Sequence, residues 1–404
     1  MWSPLLFSPE ALGALLQVST AKGRSTNLGP EYQELDSRLR ELIASPDEAI
    51  NVFDFELVAR AKLPPAHFGY LATGVEDDAT LRENREAFSR IYLRPRRLRD
   101  VSSVDMSTDL FGRSWSSPIV LAPAGSQKAF HPEGEIAVAK AAKNREHLQI
   151  LSTVSTSSVE DVTAARGAPI WYQLYPTSQW EIALSMIRRA EDAGCPVLVL
   201  TVDIPTLTNR ESEKRYKKLD ARDCTACHVP GIQGLLERKP MFDGTDKSGL
   251  TDLLAPAMTW EFVGKLKAAT SMKIVLKGIV TREDANECLR HGVDGIIVSN
   301  HGGRAEESGR ATIDSLPEVV EAVGGEIPIL MDSGIRRGSD AFKALALGAK
   351  AVCIGRPYLW GLAAFGQAGV EAVLSILRAE LRDVMMFAGT RSLKQIDASF
   401  IARE

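Results

Sequence analysis

Residues 273–301 read KIVLKGIVTREDANECLRHGVDGIIVSNH. A short β-branched run at 273–276 turns at Lys277-Gly278 and reaches Thr281, which precedes Arg282-Glu283-Asp284. A threonine ahead of two acids is a helix N-cap signal: its oxygen takes an orphaned amide, and the acids suit the positive end of the helix dipole. The spacing then predicts a helix over 282–291, ended by Gly292, and a second buried strand over 295–298. Two strands joined through a helix run parallel, because an antiparallel pair needs only a tight turn.

The same unit repeats in both directions. Strand-like runs fall at 119–122, 149–151, 170–174, 197–202, 273–276, 295–298, 328–331 and 351–354. Amphipathic segments lie between most of them, at 132–145, 159–165, 180–193, 260–269, 282–291, 316–323 and 339–347, with Gly194, Gly292 and Gly348 where C-caps are expected. The runs are apolar throughout, as in a parallel sheet covered by helices. About eight such units predict an α/β fold, the closed (β/α)8 TIM barrel.

Before the barrel, residues 1–50 are loosely patterned and read as an N-terminal extension to a barrel domain over 51–404. Helical spacing fills 52–90, with a surface helix expected over 78–90. One interval breaks the rhythm: a charged, Gly- and Pro-rich insertion after strand four, about 206–256, of the kind used for lids, binding insertions or disordered segments.

A net charge of −4 gives no reason to expect a nucleic-acid partner. The short basic run Arg94-Pro95-Arg96-Arg97-Leu98-Arg99 reads as a solvated or structural segment. No stretch approaches the roughly 20 apolar residues of a membrane span. Five scattered cysteines suit a reducing compartment, so the expected location is the cytoplasm, free or at a membrane surface, with export left open by the mildly apolar start.

Polar residues gather at the C-terminal strand ends, where barrels of this kind carry their sites. Strand six runs into Ser299-Asn300-His301-Gly302-Gly303-Arg304. Between glycines, His301 is a candidate base, with Asp203 after strand four to orient it. Strand seven ends in Asp332-Ser333-Gly334-Ile335-Arg336 and strand eight in Gly355-Arg356, a pair of loops suited to a phosphate. The plainer alternative makes these arginines surface ion pairs. Lys277, ending an apolar strand, needs an anionic partner, either a bound cofactor or Asp203 or Asp332.

Taken with Gln173-Leu174-Tyr175, Thr201-Val202-Asp203 and the segment Leu63-Pro64 through Tyr70 to Asn84, these motifs resemble the FMN-dependent 2-hydroxy-acid oxidase and dehydrogenase family. The resemblance runs from about Val52 to the C-terminus. It implies FMN as cofactor and oxidation of an L-2-hydroxy acid to the 2-oxo acid, with oxygen, a quinone or a cytochrome as final acceptor, in a homotetramer. It implies His301 as proton acceptor with Asp203 behind it, Arg210, Arg304 and Tyr70 on the substrate carboxylate, and Tyr175 on the substrate oxygen. It assigns the flavin to Pro123, Ala124, Gly125, Ser152, Gln173, Thr201, Lys277 and Ser299, and its phosphate to the 332–336 and 355–356 loops. The alternative is another FMN barrel, an isomerase or a peptide-modifying oxidase, which need not keep His301 with both arginines.

Two departures matter. Glycolate oxidases carry Trp where this chain has Val154, and Ala where it has Gly125. Both changes remove bulk, so a roomier pocket is expected, for a lactate- or mandelate-like substrate. Gly125 is also similar to the dehydrogenases rather than the oxidases. Within the insertion, Cys224-Thr225-Ala226-Cys227-His228 matches a c-type haem attachment pattern, with Met241 a conceivable second ligand; a reduced thiol pair is the plainer reading, and no metal is assigned to it.

Overall fold

A computed structural model describes residues 43–222, 231–250, 253, 255 and 257–403. The Cys224–His228 motif and residues 1–42 lie outside the described residues.

Eight parallel strands close into a barrel: β1 (Ile119–Leu121), β2 (Leu148–Ser152), β3 (Trp171–Leu174), β4 (Val197–Thr201), β5 (Lys273–Ile279), β6 (Gly295–Val298), β7 (Ile329–Met331) and β8 (Ala351–Ile354). Each pairs with its sequence neighbours, and β8 pairs with β1 to complete the ring. Alternation sends Ile119 and Leu121 outward to the helices and Val120 inward, so both faces of each strand are apolar. Leu110 and Trp115, from the hairpin that precedes β1, pack with the interior residues Leu148, Trp171 and Ala351, and Phe111 lies 5.5 Å from the Trp171 ring. That hairpin stoppers the N-terminal end of the barrel.

Helices α1 (Val52–Lys62), α2 (Pro65–Ala72) and α3 (Ala79–Glu86) precede the barrel. Around it stand α4 (Gly134–Asn144), α5 (Val159–Arg166), α6 (Trp180–Asp192), then α7 (Glu211–Lys218) in the insertion, α8 (Trp260–Ala269), α9 (Arg282–Arg290), α10 (Thr312–Val323), α11 (Gly338–Ala346) and α12 (Arg356–Ala388). Thr281 caps α9 by accepting from the Asp284 amide. The insertion's described parts are folded against the barrel: Met241 and Phe242 are buried, and Gly69 of α2 lies so close to α7 that a Cβ there would meet Tyr216 Cβ at 2.4 Å.

α12 is apolar and long enough to cross a membrane by length and composition, which corrects the expectation that no stretch approaches such a span. It is broken at Phe365 and Gly366, and its most apolar window is mostly buried against the rest of the fold. The basic run 94–99 is exposed and latched to the C-terminal segment, with the Arg96 guanidinium 4.1 Å above the Phe400 ring and Arg97 Nη1 donating to Phe387 O at 3.0 Å.

The surface helix expected over 78–90 is shorter and only half at the surface. It ends at Glu86, passes into a 3-10 turn (Ala87–Arg90), and buries Thr80 and Asn84. Asn84 and Asn300 exchange two amide hydrogen bonds, both 2.9 Å, and Asn84 Oδ1 also accepts from the Thr312 amide at 3.2 Å. Glu307 caps α3 from the β6 loop, accepting from the Ala79 and Thr80 amides at 2.6 and 3.0 Å. α3 thereby clamps the loop that carries His301 and Arg304.

Asn84→Ala would leave Asn300 and the Thr312 amide short of partners in a dry setting. A loss of about 2–4 kcal/mol in unfolding free energy is expected. Urea denaturation checks it, and a loss under about 1 kcal/mol would show that the clamp is not a stabilising contact.

Candidate active site

The inward file of seven of the eight strands is apolar low in the barrel, at Val120, Ile150, Trp171, Val199, Val275, Ile297 and Leu330. Two residues further it reaches Ala122, Ser152, Gln173, Thr201, Lys277, Ser299 and Asp332, all buried. One step of the period-two pleat thus turns a hydrocarbon core into a polar floor.

Charge in that floor is concentrated on three groups. Lys277 Nζ donates to Ser299 Oγ at 2.9 Å and lies 3.3 Å from Asp332 Oδ2 and 3.8 Å from Asp203 Oδ2. Burial works against its charge, but Asp332 and Asp203 outweigh burial and raise its pKa. Both carboxylates proposed as simple salt-bridge partners are therefore used at once. Burial likewise resists ionisation of Asp203, and His301 and Lys277 overcome it, holding the carboxyl below its usual range.

Asp203 Oδ1 lies 2.9 Å from His301 Nδ1. A carboxylate only accepts, so Nδ1 carries the ring proton and Nε2 keeps its lone pair. Tyr175 Oη sits 3.3 Å from Nε2, and burial, then Asp203, pushes its phenol well above the usual range, so it stays a donor. The His301 pKa is lowered, by burial first and Lys277 next, with Asp203 offsetting only part. Its ring is 21% exposed, so a substrate can reach it. The backbone aims it at some cost: His301, Gly302 and Gly303 have φ of 59°, 71° and 73°, a left-handed run that a β-carbon at His301 tolerates poorly.

Arg304 lies beneath α2, its guanidinium 4.3 Å from the Tyr70 ring; Nη1 donates to the carbonyls of Tyr70 and Thr73. Arg210 enters just before α7, with Nε donating to Thr208 Oγ1 at 2.9 Å and Nη2 reaching Arg304 O at 3.5 Å. Burial, then Arg304, lowers the Arg210 pKa.

A second cationic group occupies the β7 and β8 loops. Arg356 donates to the carbonyls of Leu71, Gly302 and Thr73, and Arg336 to Ile335 O. Burial, with Arg85 beside it, pushes Arg336 down to about 10; burial, with Arg336 and Arg304, pushes Arg356 down to about 9. Neither forms an ion pair with a carboxylate among the described residues, so the surface-ion-pair alternative does not hold. Crowded, desolvated guanidiniums, one of them opening α12, are suited to an anion.

One cleft is lined by Tyr70, Pro123, Ala124, Gly125, Ser152, Tyr175, Lys277, His301, Arg304, Asp332, Ser333, Gly334, Ile335, Arg336, Gly355 and Arg356. Of the residues expected from sequence, Gln173, Thr201, Asp203, Arg210 and Ser299 stand behind or beside this lining. Leu71, Cys353 and Leu359 line it unforeseen. The extra room expected at Gly125 is partly taken: a Cβ there would meet Val154 Cγ2 at 2.5 Å, so the valine leans into the space.

The family described as FMN-dependent dehydrogenase matches residues 59–403. A peroxisomal (S)-2-hydroxy-acid oxidase of Oryza sativa subsp. japonica is 44% identical over 359 residues, covering 88% of this chain and 96% of its own. An L-lactate oxidase of Lysinibacillus sphaericus (strain C3-41) is 43% identical over 364 residues, 89% of this chain and 94% of its own. The crystal structure of a mandelate oxidase superposes with a TM-score of 0.77 at 39% identity, covering 88% of this chain and 98% of the other.

The residues present fit FMN. Gln173 Nε2 and Thr201 Oγ1 are buried with no protein partner among the described residues, a donor and a hydroxyl suited to the carbonyls and nitrogens of a flavin ring. Arg336 and Arg356, which form no ion pair with a carboxylate among the described residues, suit the anion that a phosphate would supply. Stripping FMN from the protein should lower Tm by several degrees, because a ligand at a hundredfold its Kd adds about 2.7 kcal/mol. Arg336→Met should raise the Kd for FMN at least about tenfold, read by quenching of flavin fluorescence; one lost charge-assisted contact is of that size.

Proposed function

Since this chain belongs to the FMN-dependent dehydrogenase family, whose members it matches along most of its length, we propose that it oxidises an L-2-hydroxy acid larger than glycolate to the 2-oxo acid. The observation that carries this is the meeting of one imidazole, one phenol and one guanidinium, His301, Tyr175 and Arg304, in a single cleft, with the Arg210 guanidinium beside it reaching Arg304 O. Bound FMN supplies the two-electron acceptor.

Arg210 and Arg304 take the substrate carboxylate in a forked grip, with the Tyr70 hydroxyl helping. That grip turns the hydroxyl-bearing carbon toward His301, and such orientation alone supplies several kcal/mol of barrier lowering. His301 Nε2 receives the proton the substrate gives up, and Asp203 steadies the imidazolium that results. Tyr175 donates to the substrate oxygen. Lys277, held between two carboxylates, would supply positive charge to a flavin bound in the cleft. Pro123, Ala124, Gly125, Ser152, Gln173, Thr201 and Ser299 would hold the ring, and residues 332–336 and 355–356 would hold the phosphate.

Substrate size rests on Val154, which replaces a bulky ring, and favours lactate- or mandelate-like acids. Electrons pass on to oxygen or to a quinone or cytochrome, and reoxidation by each in turn identifies which. The proposed assembly is a homotetramer, checked by light scattering, and the proposed location is the cytoplasm, in keeping with three buried free thiols.

Anaerobic stopped-flow mixing tests the reading. The flavin should bleach with L-lactate or (S)-mandelate faster than with glycolate; a flavin bleached by no 2-hydroxy acid ends the proposal. His301→Ala should keep FMN but reduce it at least about a hundredfold more slowly. Because the His301 pKa lies below the ordinary imidazole value, the reduction rate should be level at neutral pH and fall on acidification, once Nε2 is protonated. Arg210→Lys should raise KM, since an ammonium cannot form the fork; an unchanged KM would remove Arg210 from the carboxylate site.

A further inference from the structure

A third charged group sits against the two guanidiniums without a part in the reaction as described. Glu213 lies on the first turn of α7, three residues past Arg210, with a side chain only 9% exposed. Its Oε2 is 3.5 Å from Arg304 Nη2 and 3.8 Å from Arg210 Nη1, and its Oε1 is 2.8 Å from Lys217 Nζ. One carboxylate oxygen is thus shared between both arginines.

Neither arginine needs Glu213 for its direction. Arg304 is fixed by two backbone carbonyls and the Tyr70 ring, and Arg210 by Thr208. At 3.5 and 3.8 Å the contacts are ion pairs rather than strong hydrogen bonds. The contribution left to Glu213 is charge. A buried and a half-buried guanidinium side by side repel, and one buried carboxylate brings the trio to a net single positive charge. A substrate carboxylate must then share the pair with a resident one.

We propose that Glu213 is a positioning residue, a built-in counter-ion that competes with the substrate carboxylate for Arg210 and Arg304 and limits how tightly that carboxylate is held. The proposal rests on the carboxylate role given to those arginines above. Burial resists ionisation of Glu213, and Lys217, Arg304 and Arg210 together overcome it, so the group is an anion at neutral pH. The consequence falls on substrate and product alike, because the 2-oxo acid keeps the carboxylate. A grip that is equal for substrate and transition state does not speed the chemistry, and an excessive one delays release.

The test uses the FMN-loaded full chain and two ligands that cannot be oxidised at a hydroxyl: phenylacetate, which carries the carboxylate, and phenylacetamide, its uncharged counterpart. Binding is read by calorimetry and by perturbation of the flavin spectrum. Glu213→Gln should bind phenylacetate about tenfold more tightly, the scale of one unit charge removed from several ångströms away with partial solvent screening. It should bind phenylacetamide as the unaltered protein does. Glu213→Asp should restore the original phenylacetate affinity. Lys217→Gln, which frees the glutamate from its outer partner, should weaken phenylacetate. Unchanged or weaker phenylacetate binding in Glu213→Gln overturns the proposal, as does an equal shift for both ligands, which would mark a merely structural role. If Arg210→Lys leaves phenylacetate binding intact in the otherwise unaltered protein, the premise about the arginines fails instead, and the proposal falls with it.

Discussion

Asp203 serves two neighbours with its two oxygens. Oδ1 holds the imidazole of His301 at 2.9 Å, and Oδ2 faces the ammonium of Lys277 at 3.8 Å. In a dry interior, removing one member of such a set strands the charge of another, at a cost of several kcal/mol. The tautomer of His301, the charge of Lys277 and the ionisation of Asp203 are therefore one decision rather than three. Asp332 closes the set on the far side of Lys277. The arrangement is only possible because the pleat brings residues from β4, β5, β6 and β7 to one height in the barrel.

Holding that arrangement depends on a loop that is locally unfavourable. Three consecutive left-handed residues end at Gly303, and their backbone does not choose that shape unaided. The compensation comes from a distant part of the chain. α3 supplies Asn84 to Asn300, receives Glu307 at its own N-terminus, and packs so near that a Cβ on Gly303 would meet Leu81 at 2.6 Å. The region ahead of the barrel is thus the outer half of the mould in which the histidine is set.

Much of this was legible in the chain. Each expected strand was found within a residue or two except β5, which runs on through Gly278 to Ile279. Strands were readable because they are buried on both faces and so leave unbroken apolar runs. The strand-end residues were readable because glycines and charges interrupt those runs at one end only. What stayed hidden depends on tertiary contact. Asn84 looks like one more polar residue on a charged helix until Asn300 is opposite it. Glu213 was the nearest to being found, since an acid three residues after Arg210 in a helical stretch shares its face. The partial filling of the Gly125 space by Val154 shows only once the two loops meet in the fold, because two bulk-removing changes read separately both point to more room. The break in α12 likewise has no strong signal beyond Gly366 itself.

The stopper at the foot of the barrel carries a consequence for traffic. With Leu110, Phe111 and Trp115 wedged into the lower opening, the barrel is a cup and not a pipe. On the proposed reaction, acid, keto product and electron acceptor share one rim. The side chains that line that single mouth, rather than the barrel walls, therefore set which molecules fit through it.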